Sequence, residues 1–295
     1  MAGYDATLNP RLQLAAAAVL FSTGGAAIKL AQLTGWQVLC FRAAIALVAI
    51  LILIPESRRG WSRRTALVGV GYAATTTLFV LANKNTTAAN TVFLQNTSPL
   101  FIVALGPWLL AERVTRRDVA YMAVLGAGMA LFFAGLPRRF ATAPHPLLGN
   151  ALAAGSALTW AFTVVGYRWL ARQGVSIAAA AVAGNLLACL WSLPLALPVG
   201  PTQPGDWLTI AYLGVFQLGV AYVFLSQAIP RVTALDASLV LLIEPVLNPI
   251  WAWWLHRETL TLAALAGGAI ILAATALRLR REARPGAVPL PTEAA

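Results

Sequence analysis

The second half of this 295-residue chain repeats its first half, and each half carries five apolar segments. A shift of 146 positions aligns Pro99 with Pro245 and Glu112 with Glu258. Self-similarity with a fixed period of this size indicates a duplicated architecture. Because two copies of an odd number of membrane spans insert with opposite orientations, the pattern predicts an inverted repeat. In that arrangement a binding site lies near the bilayer midplane, between the repeats.

The composition indicates a membrane protein. Hydrophobic residues make up 59% of the chain and charged residues only 11%, whereas soluble domains carry about 25% charged residues. Apolar segments of about 20 residues can cross the hydrocarbon core as helices, and their lack of alternation argues against a transmembrane barrel. We therefore predict an all-α membrane protein, with ten transmembrane helices forming two inverted five-helix repeats around a central cavity. The predicted spans are 11–31, 35–55, 64–83, 88–110, 117–136, 148–170, 176–197, 207–229, 234–255 and 260–278.

The distribution of charge predicts the topology. With the N-terminus in the cytoplasm, most of the 21 Lys and Arg residues fall on the inner face. The positive-inside rule therefore predicts a multi-pass protein of the cytoplasmic (inner) membrane with both termini inside. These basic residues then act as topology anchors, so no nucleic-acid partner is expected. The predicted segments are a cytoplasmic N-terminus, the first repeat, a linker, the second, inverted repeat and a disordered cytoplasmic tail: 1–10, 11–136, 137–147, 148–278 and 279–295.

The sequence lacks the motifs of the common enzyme classes. It contains no glycine-rich phosphate loop, no His-Glu-x-x-His and no Cys-x-x-Cys. Cys40 and Cys189 lie inside predicted spans and are interpreted as packing residues, and both histidines map to connections at the outer face. We therefore expect no enzymatic activity, no cofactor and no metal site.

Polar residues inside the predicted spans carry the functional signal. Gln95 and Ser98 share a helical face of span 88–110, which leads to Pro99. Glu244 and Pro245 occupy the equivalent positions of the second half. Because a proline within a span frees a backbone carbonyl that protein or a wet cavity must satisfy, both prolines are predicted helix breaks beside a central cavity. The alternative is that these polar side chains only hold helices together.

Charged residues inside the spans divide into two groups. Glu244 is placed near the bilayer centre, where a charge costs several kcal/mol, and it is therefore a candidate proton carrier or a ligand for a substrate amine. The alternative is a carboxyl group bonded to a neighbouring helix backbone. Lys29, Arg42 and Lys84 lie toward the outer ends of their spans, where their side chains are expected to snorkel to the interface. The alternative for each is contact with the substrate.

Aromatic residues suggest a pocket in the membrane. Trp160 lies in the middle of span 148–170. Together with residues of spans three, four and eight it is predicted to line an apolar, aromatic pocket, with packing against lipid as the alternative for each residue. The other members of this predicted pocket are Tyr72, Phe79, Phe101 and Tyr222.

Two segments resemble a known family. The stretch from Ala82 to Ala88, followed by Ser98-Pro99 and Glu112-Arg113, resembles the ten-helix EamA-type exporters of the drug/metabolite transporter superfamily. Glu244-Pro245 and 256–258 resemble the same signature in the second half. Within that family the first half is similar to the YddG-type aromatic amino acid exporters. The resemblance implies a basket of helices around a central cavity and export of small amphipathic metabolites.

These features together predict an exporter of amino acids, mainly Phe, Tyr and Trp, that works by alternating access. Trp160, Tyr72 and Tyr222 would hold the ring, and polar residues would hold the zwitterion: Asn83, Gln95, Ser98, Gln217 and Glu244. The expected partners are the amino acid and the lipid bilayer, and the features are compatible with a monomer. The alternatives are a multidrug or nucleoside/metabolite exporter of the same architecture and, outside transport, a membrane scaffold or receptor.

Overall fold

The structure, a computed structural model, describes residues 9–102, 115–134, 142–171, 173–228, 231 and 240–282. Within these ranges the regular secondary structure is helical and contains no β-strand. We label the helices α1–α10 in chain order. Their bounds are α1, Pro10–Ser22 and Gly24–Leu30; α2, Gly35–Leu53; α3, Arg63–Asn85; α4, Ala88–Gln95 and then 98–102; α5, Arg116–Ala134; α6, Pro146–Ala171; α7, Ile177–Ala196; α8, Pro204–Tyr212, a π-helical Leu213–Val220 and Ala221–Ala228; α9, Ile243–His256; and α10, Leu262–Glu282.

Six of these helices are long and apolar enough to cross a membrane, which confirms the prediction of an all-α membrane protein. They are α1, α2, α3, α6, α7 and α8, and a shorter apolar helix, Leu262–Arg278, lies within α10. The predicted spans 88–110 and 234–255 include residues outside the described ranges. The number of ten transmembrane helices therefore remains a prediction.

Local interactions at the helix starts explain several of the observed bounds. Thr34 and Gln37 form a reciprocal capping box at the start of α2, with bonds of 3.2 and 3.0 Å. Ser62, Thr87 and Ser176 accept hydrogen bonds from backbone N–H groups at the starts of α3, α4 and α7. These bonds satisfy N–H groups that would otherwise have no partner at the edge of the hydrocarbon region.

The two predicted helix breaks lie next to turns. Asn96 and Thr97 form a turn in α4, and Pro99 belongs to the first turn of the helical segment that follows. Leu242 is a turn residue before α9, and Pro245 lies in the first turn of that helix. A proline is well tolerated in a first turn because the missing N–H has no helical acceptor there.

The helices pack in a consistent set of pairs. Helix α3 packs against α6 and α7, α2 against α7 and the π-helical segment, and α5 against α10. Helix α1 packs against the last part of α8 and against α9, and α4 packs against α6. Gly184 allows the closest approach, since a Cβ atom there would lie 2.4 Å from Cδ1 of Tyr72 and 2.9 Å from the carbonyl oxygen of Gly69. Small residues commonly mediate such contacts between membrane helices.

The connections identify two ends of the bundle. One end contains Glu258, which pairs with Lys29 near the end of α1, and is here called the Glu258 end. Asp206 accepts a hydrogen bond there from the Gln32 N–H (2.7 Å). At the other end, here called the Gln13 end, Gln13 bonds to Gln227 (3.1 Å) and Arg64 bonds to Gln173 (2.6 Å). Successive helices therefore run in alternating directions between these two ends.

Candidate functional site

An aromatic cluster fills the interior between α1, α3, α6 and α8. The Tyr72 and Tyr222 rings are 6.2 Å apart, and Phe21 contacts Tyr222 edge to face at 6.0 Å. Trp160 contacts Tyr167 edge to face at 6.3 Å, and the Tyr167 and Tyr222 hydroxyls are 3.3 Å apart. These five residues are called the aromatic cluster below. The structure thus brings together Tyr72, Trp160 and Tyr222, the three residues predicted to hold a substrate ring.

Buried polar atoms without partners surround Tyr72. Its hydroxyl accepts a 3.4 Å hydrogen bond from Nδ2 of Asn185, whose Oδ1 is buried and has no partner among the described residues. Arg42 lies near Tyr72 and is 2% exposed, yet its Nε and Nη1 atoms have no hydrogen-bond partner in the described part of the chain. Buried polar atoms in folded proteins are nearly always paired, so these atoms require an explanation.

Two further amides meet at α1, close to its interruption at Thr23. Asn248 donates to the Ser22 carbonyl (2.9 Å) and Asn83 donates to the Phe79 carbonyl (2.9 Å). A Cβ atom on Gly25 would lie 3.0 Å from Oδ1 of Asn83 and 2.9 Å from Nδ2 of Asn248. Both Oδ1 atoms are buried and have no partner among the described residues. Glycine at position 25 therefore allows α1 to lie directly against these amides.

The other predicted site residues have different environments. Gln95 donates to Ser156 of α6 (2.7 Å), a contact that joins two helices. Phe79 packs in a separate apolar cluster with residues of α1 and α2. Ser98 is buried and Phe101 is partly buried.

Gln217 and Glu244 carry polar atoms that the rest of the described chain does not use. Gln217 lies in the π-helical segment against Gly24, with its Oε1 buried and without a partner among the described residues. Glu244 is partly buried in the first turn of α9, and no hydrogen bond or ion pair joins it to another described residue.

A buried ion pair closes the Glu258 end. Nζ of Lys29 lies 3.0 Å from Oε1 of Glu258, and the two side chains are 1% and 3% exposed. Lys29 also donates to the carbonyls of Thr86 (2.6 Å) and Thr142. Oε2 of Glu258 accepts a 2.9 Å bond from the N–H of Ala88, in the first turn of α4. This network, called the Lys29–Glu258 network below, joins α1, α4, the segment before α6 and the segment after α9.

Comparison with known proteins places the chain in a family. The model of the EamA-like transporter family matches residues 11–134 and 147–280. The chain belongs to the EamA-like transporter family. An uncharacterized transporter of Archaeoglobus fulgidus is 36% identical over 88 residues, which are 30% of this chain and 32% of that protein. The alignment thus spans about a third of that relative. A solved crystal structure with 22% sequence identity superimposes with a TM-score of 0.62 over 93% of this chain and 99% of that chain.

Membership of the EamA-like family confirms the family that the sequence motifs indicated, while the similarity to the YddG-type exporters remains a prediction. It makes the chain a multi-pass membrane protein of a transporter family rather than of an enzyme family. It also gives the unpaired polar atoms a context, because membrane proteins seldom bury polar or ionisable side chains without a functional reason.

Two expectations for this EamA-like transporter were wrong. Lys29 and Arg42 were expected to snorkel to the interface, yet Lys29 is enclosed by the Lys29–Glu258 network and Arg42 is 2% exposed. Lys84 instead donates to the Ala31 carbonyl (2.6 Å) at the Glu258 end. In the sequence, Glu258 stands out only as the repeat counterpart of Glu112, and no pattern assigns a role to Asn185. The position of Arg42 inside an apolar span was the one sequence feature that could have indicated a functional role for it.

The EamA-like transporter also has an apolar groove between α1, α8 and α9. Its volume is about 540 Å³, and its lining includes Leu208, Phe216 and Trp254, which are exposed on the outside of the bundle. Thr23 and Tyr212 bond to each other across it at 2.8 Å. A groove of this composition offers few partners to a zwitterion, so the interior polar atoms near Tyr72 are the better candidate site.

Proposed function

We propose that this EamA-like transporter exports amino acids from the cytoplasm, with a preference for Phe, Tyr and Trp, by alternating access. The observation that carries the proposal is the aromatic cluster together with the unpaired polar atoms beside it. A substrate site needs apolar walls and a few placed polar groups. An aromatic amino acid matches this combination, because its ring is apolar and its zwitterionic head group needs both donors and acceptors.

The helix contacts support the proposed inverted repeat, 11–136 and 148–278. The proposed repeat makes each of α1–α5 the counterpart of the helix five places later, so α1 corresponds to α6 and α5 to α10. Under this exchange the observed α3–α6 contact corresponds to the observed α1–α8 contact. In the same way, α3–α7 corresponds to α2–α8, and α4–α6 corresponds to α1–α9. The pairs α2–α7 and α5–α10 convert into themselves. The two separate segments matched by the family model lend further support. Ten spans in this arrangement would leave both termini in the cytoplasm, with the linker 137–147 outside.

The Lys29–Glu258 network suggests which step of the cycle the structure represents. In the proposed topology the Glu258 end faces outward, so the buried pair would close the outer side of the proposed substrate site. Export then requires the pair to separate and the opposite end to close, as alternating access between two repeats demands.

Transport by the purified protein tests the proposed function directly. Proteoliposomes loaded with buffer should accumulate labelled phenylalanine down its gradient, and excess tyrosine or tryptophan should compete. Effective competition by lipophilic cations or nucleosides but not by amino acids would favour the multidrug or nucleoside/metabolite alternative. No movement of any of these solutes would favour a scaffold or receptor.

Cysteine labelling is expected to reveal the inverted topology. In a variant without Cys40 and Cys189, single cysteines at the exposed positions Arg59 and Arg116 should resist an impermeant thiol reagent applied outside intact cells. Cysteines at the exposed positions His145 and Gln203 should react. Labelling of all four positions from one side would contradict the proposed topology.

Replacing Trp160 with alanine is expected to weaken transport of aromatic amino acids more than transport of threonine. Trp160 contributes a ring to the aromatic cluster, and loss of ring–ring contact and buried area should cost about 1–3 kcal/mol for phenylalanine. The measurement is the apparent affinity for each substrate in proteoliposomes. Trp253→Ala is the matched control because that side chain is 53% exposed, and equal losses for phenylalanine and threonine would make Trp160 a structural residue.

A further inference from the structure

We propose that Arg42 binds the carboxylate of the transported amino acid and that Oδ1 of Asn185 and Oε1 of Gln217 accept hydrogen bonds from its ammonium group. The inference rests on the proposed amino acid export and names the head-group subsite. It differs from the main sequence prediction, in which the Arg42 side chain snorkels to the interface.

Arg42 carries a buried positive charge that no described residue neutralises. Its side chain is 2% exposed, and Nε and Nη1 have no hydrogen-bond partner among the described residues. The described residues also supply no salt bridge to it. Because a buried, unpaired charge is costly to the fold, the proposal is that the carboxylate of a bound substrate supplies the anionic partner that the described residues lack.

Helix α2, which carries Arg42, packs against two helices that contain unpaired acceptor oxygens, Oδ1 of Asn185 and Oε1 of Gln217. On one side, Ala46, one turn further along the same face of α2, packs in one cluster with Tyr72 and with Ala181 of α7, which is one turn before Asn185. On the other side, a Cβ atom on Gly214 of α8 would lie 3.1 Å from the carbonyl oxygen of Arg42. Gln217 lies three residues further along the same π-helical segment.

The unpaired atoms match the two charged groups of a zwitterionic amino acid. The unpaired guanidinium nitrogens of Arg42 are donors, and hydrogen bonds from a guanidinium to a carboxylate are strengthened by the two opposite charges. The amide oxygens of Asn185 and Gln217 are acceptors, which an ammonium group requires. Tyr72 links these atoms to the aromatic cluster, since it lies near Arg42, accepts a bond from Asn185 and packs against Tyr222. The subsite therefore selects α-amino acids with an aromatic side chain.

Three ligands separate the two halves of this subsite. L-phenylalanine carries both charges, 3-phenylpropionate lacks the ammonium group, and L-phenylalaninamide lacks the carboxylate. Arg42→Gln should weaken binding of phenylalanine and 3-phenylpropionate by tenfold or more and change phenylalaninamide by less than threefold. Arg42→Lys should restore part of the loss, because it returns the charge without the planar pair of donors.

Variants of the two acceptors should give the opposite pattern. Asn185→Leu and Gln217→Met should each weaken phenylalanine and phenylalaninamide by about tenfold, and leave 3-phenylpropionate within threefold of wild type. Arg59→Gln, at an exposed position of the loop between α2 and α3, is the matched control for charge and should leave all three affinities unchanged.

Thermal unfolding of the purified protein without ligand separates a binding role from a structural role. If Arg42 is held for substrate, Arg42→Gln should leave Tm unchanged or raise it, because it removes an unpaired buried charge. If Arg42 supports the fold, Tm should fall and all three ligands should weaken together. That second result, or unchanged phenylalanine affinity in Arg42→Gln, would overturn the proposal.

The same set of measurements distinguishes failure of this inference from failure of the proposed function. Phenylalanine transport that is insensitive to Arg42→Gln would keep the function and reject the subsite. Arg42-dependent binding of 3-phenylpropionate by a wild-type protein that transports no amino acid would reject the function and support Arg42 as a carboxylate site.

Discussion

Replacing Glu258 with glutamine is expected to lower the free energy of unfolding by about 3–5 kcal/mol, the usual cost of removing one member of a buried ion pair. The loss arises because Lys29, with 1% of its side chain exposed, would keep its charge without its carboxylate partner. The N–H of Ala88 would also lose its charged acceptor at the start of α4. Denaturant-induced unfolding of the purified protein in detergent measures the change.

Two controls make this prediction specific to burial. Asp118→Asn removes the Asp118–Arg278 pair, which is more exposed, with 20% and 29% of the side chains accessible. Because exposed pairs contribute about 0–1 kcal/mol, this variant should lose far less stability. The double variant Lys29→Met/Glu258→Met removes both buried charges and should recover much of the loss caused by Glu258→Gln. Similar losses for Glu258→Gln and Asp118→Asn would contradict the prediction.

The same variant should also expose the Glu258 end. Ala31 is 1% exposed and lies beside this network, where its carbonyl accepts a bond from Lys84. A cysteine at position 31 should therefore resist an impermeant thiol reagent in the wild-type background and react faster in Glu258→Gln. Faster labelling would support the proposal that the buried pair holds the outer side closed, and unchanged labelling would assign the pair to stability alone.

Sequence patterns predicted the general fold because those patterns are local. Apolar runs of about 20 residues predicted the six helices that are long enough to cross a membrane. Paired Pro and Glu positions predicted the family that the comparison confirmed. The convergence of Tyr72, Trp160 and Tyr222 was also anticipated, because each lies within a predicted span and a large aromatic residue tends to be buried.

Sequence patterns could not predict the polar contacts because these depend on which helix faces lie opposite each other. Lys29 and Glu258 are far apart in the chain, and nothing in the local sequence of either residue identifies the other as its partner. Gln95 showed the polar periodicity of a cavity wall, yet its partner is Ser156 of α6. Arg42 was assigned to the interface by its distance from the span end, whereas α2 packs against α7 and α8 and the Arg42 side chain is buried.

Replacing Glu244 with glutamine is expected to abolish the dependence of transport on a pH gradient while exchange of substrate continues. Glu244 is the one carboxylate that the sequence places near mid-span, and no hydrogen bond or ion pair joins it to another described residue. Its repeat counterpart Ser98 has no acidic proton to exchange. The coupling of substrate transport to proton movement would therefore depend on the second repeat only. Since this sequence contains no glycine-rich phosphate loop, the proposed driving force is a gradient, and one pH unit can support about a tenfold substrate gradient per proton exchanged.

Efflux of labelled phenylalanine from proteoliposomes with and without an imposed pH gradient measures this coupling. Wild-type protein should respond to the gradient, Glu244→Gln should transport at one rate in both conditions, and counterflow exchange should persist in both proteins. Glu56→Gln is the matched control, because Glu56 is an exposed carboxylate in the short 3₁₀ turn after α2 and should leave coupling intact. If wild-type transport is the same with and without the gradient, transport is facilitative. Glu244 then contributes to the cavity or its packing, and the substrate gradient alone drives export.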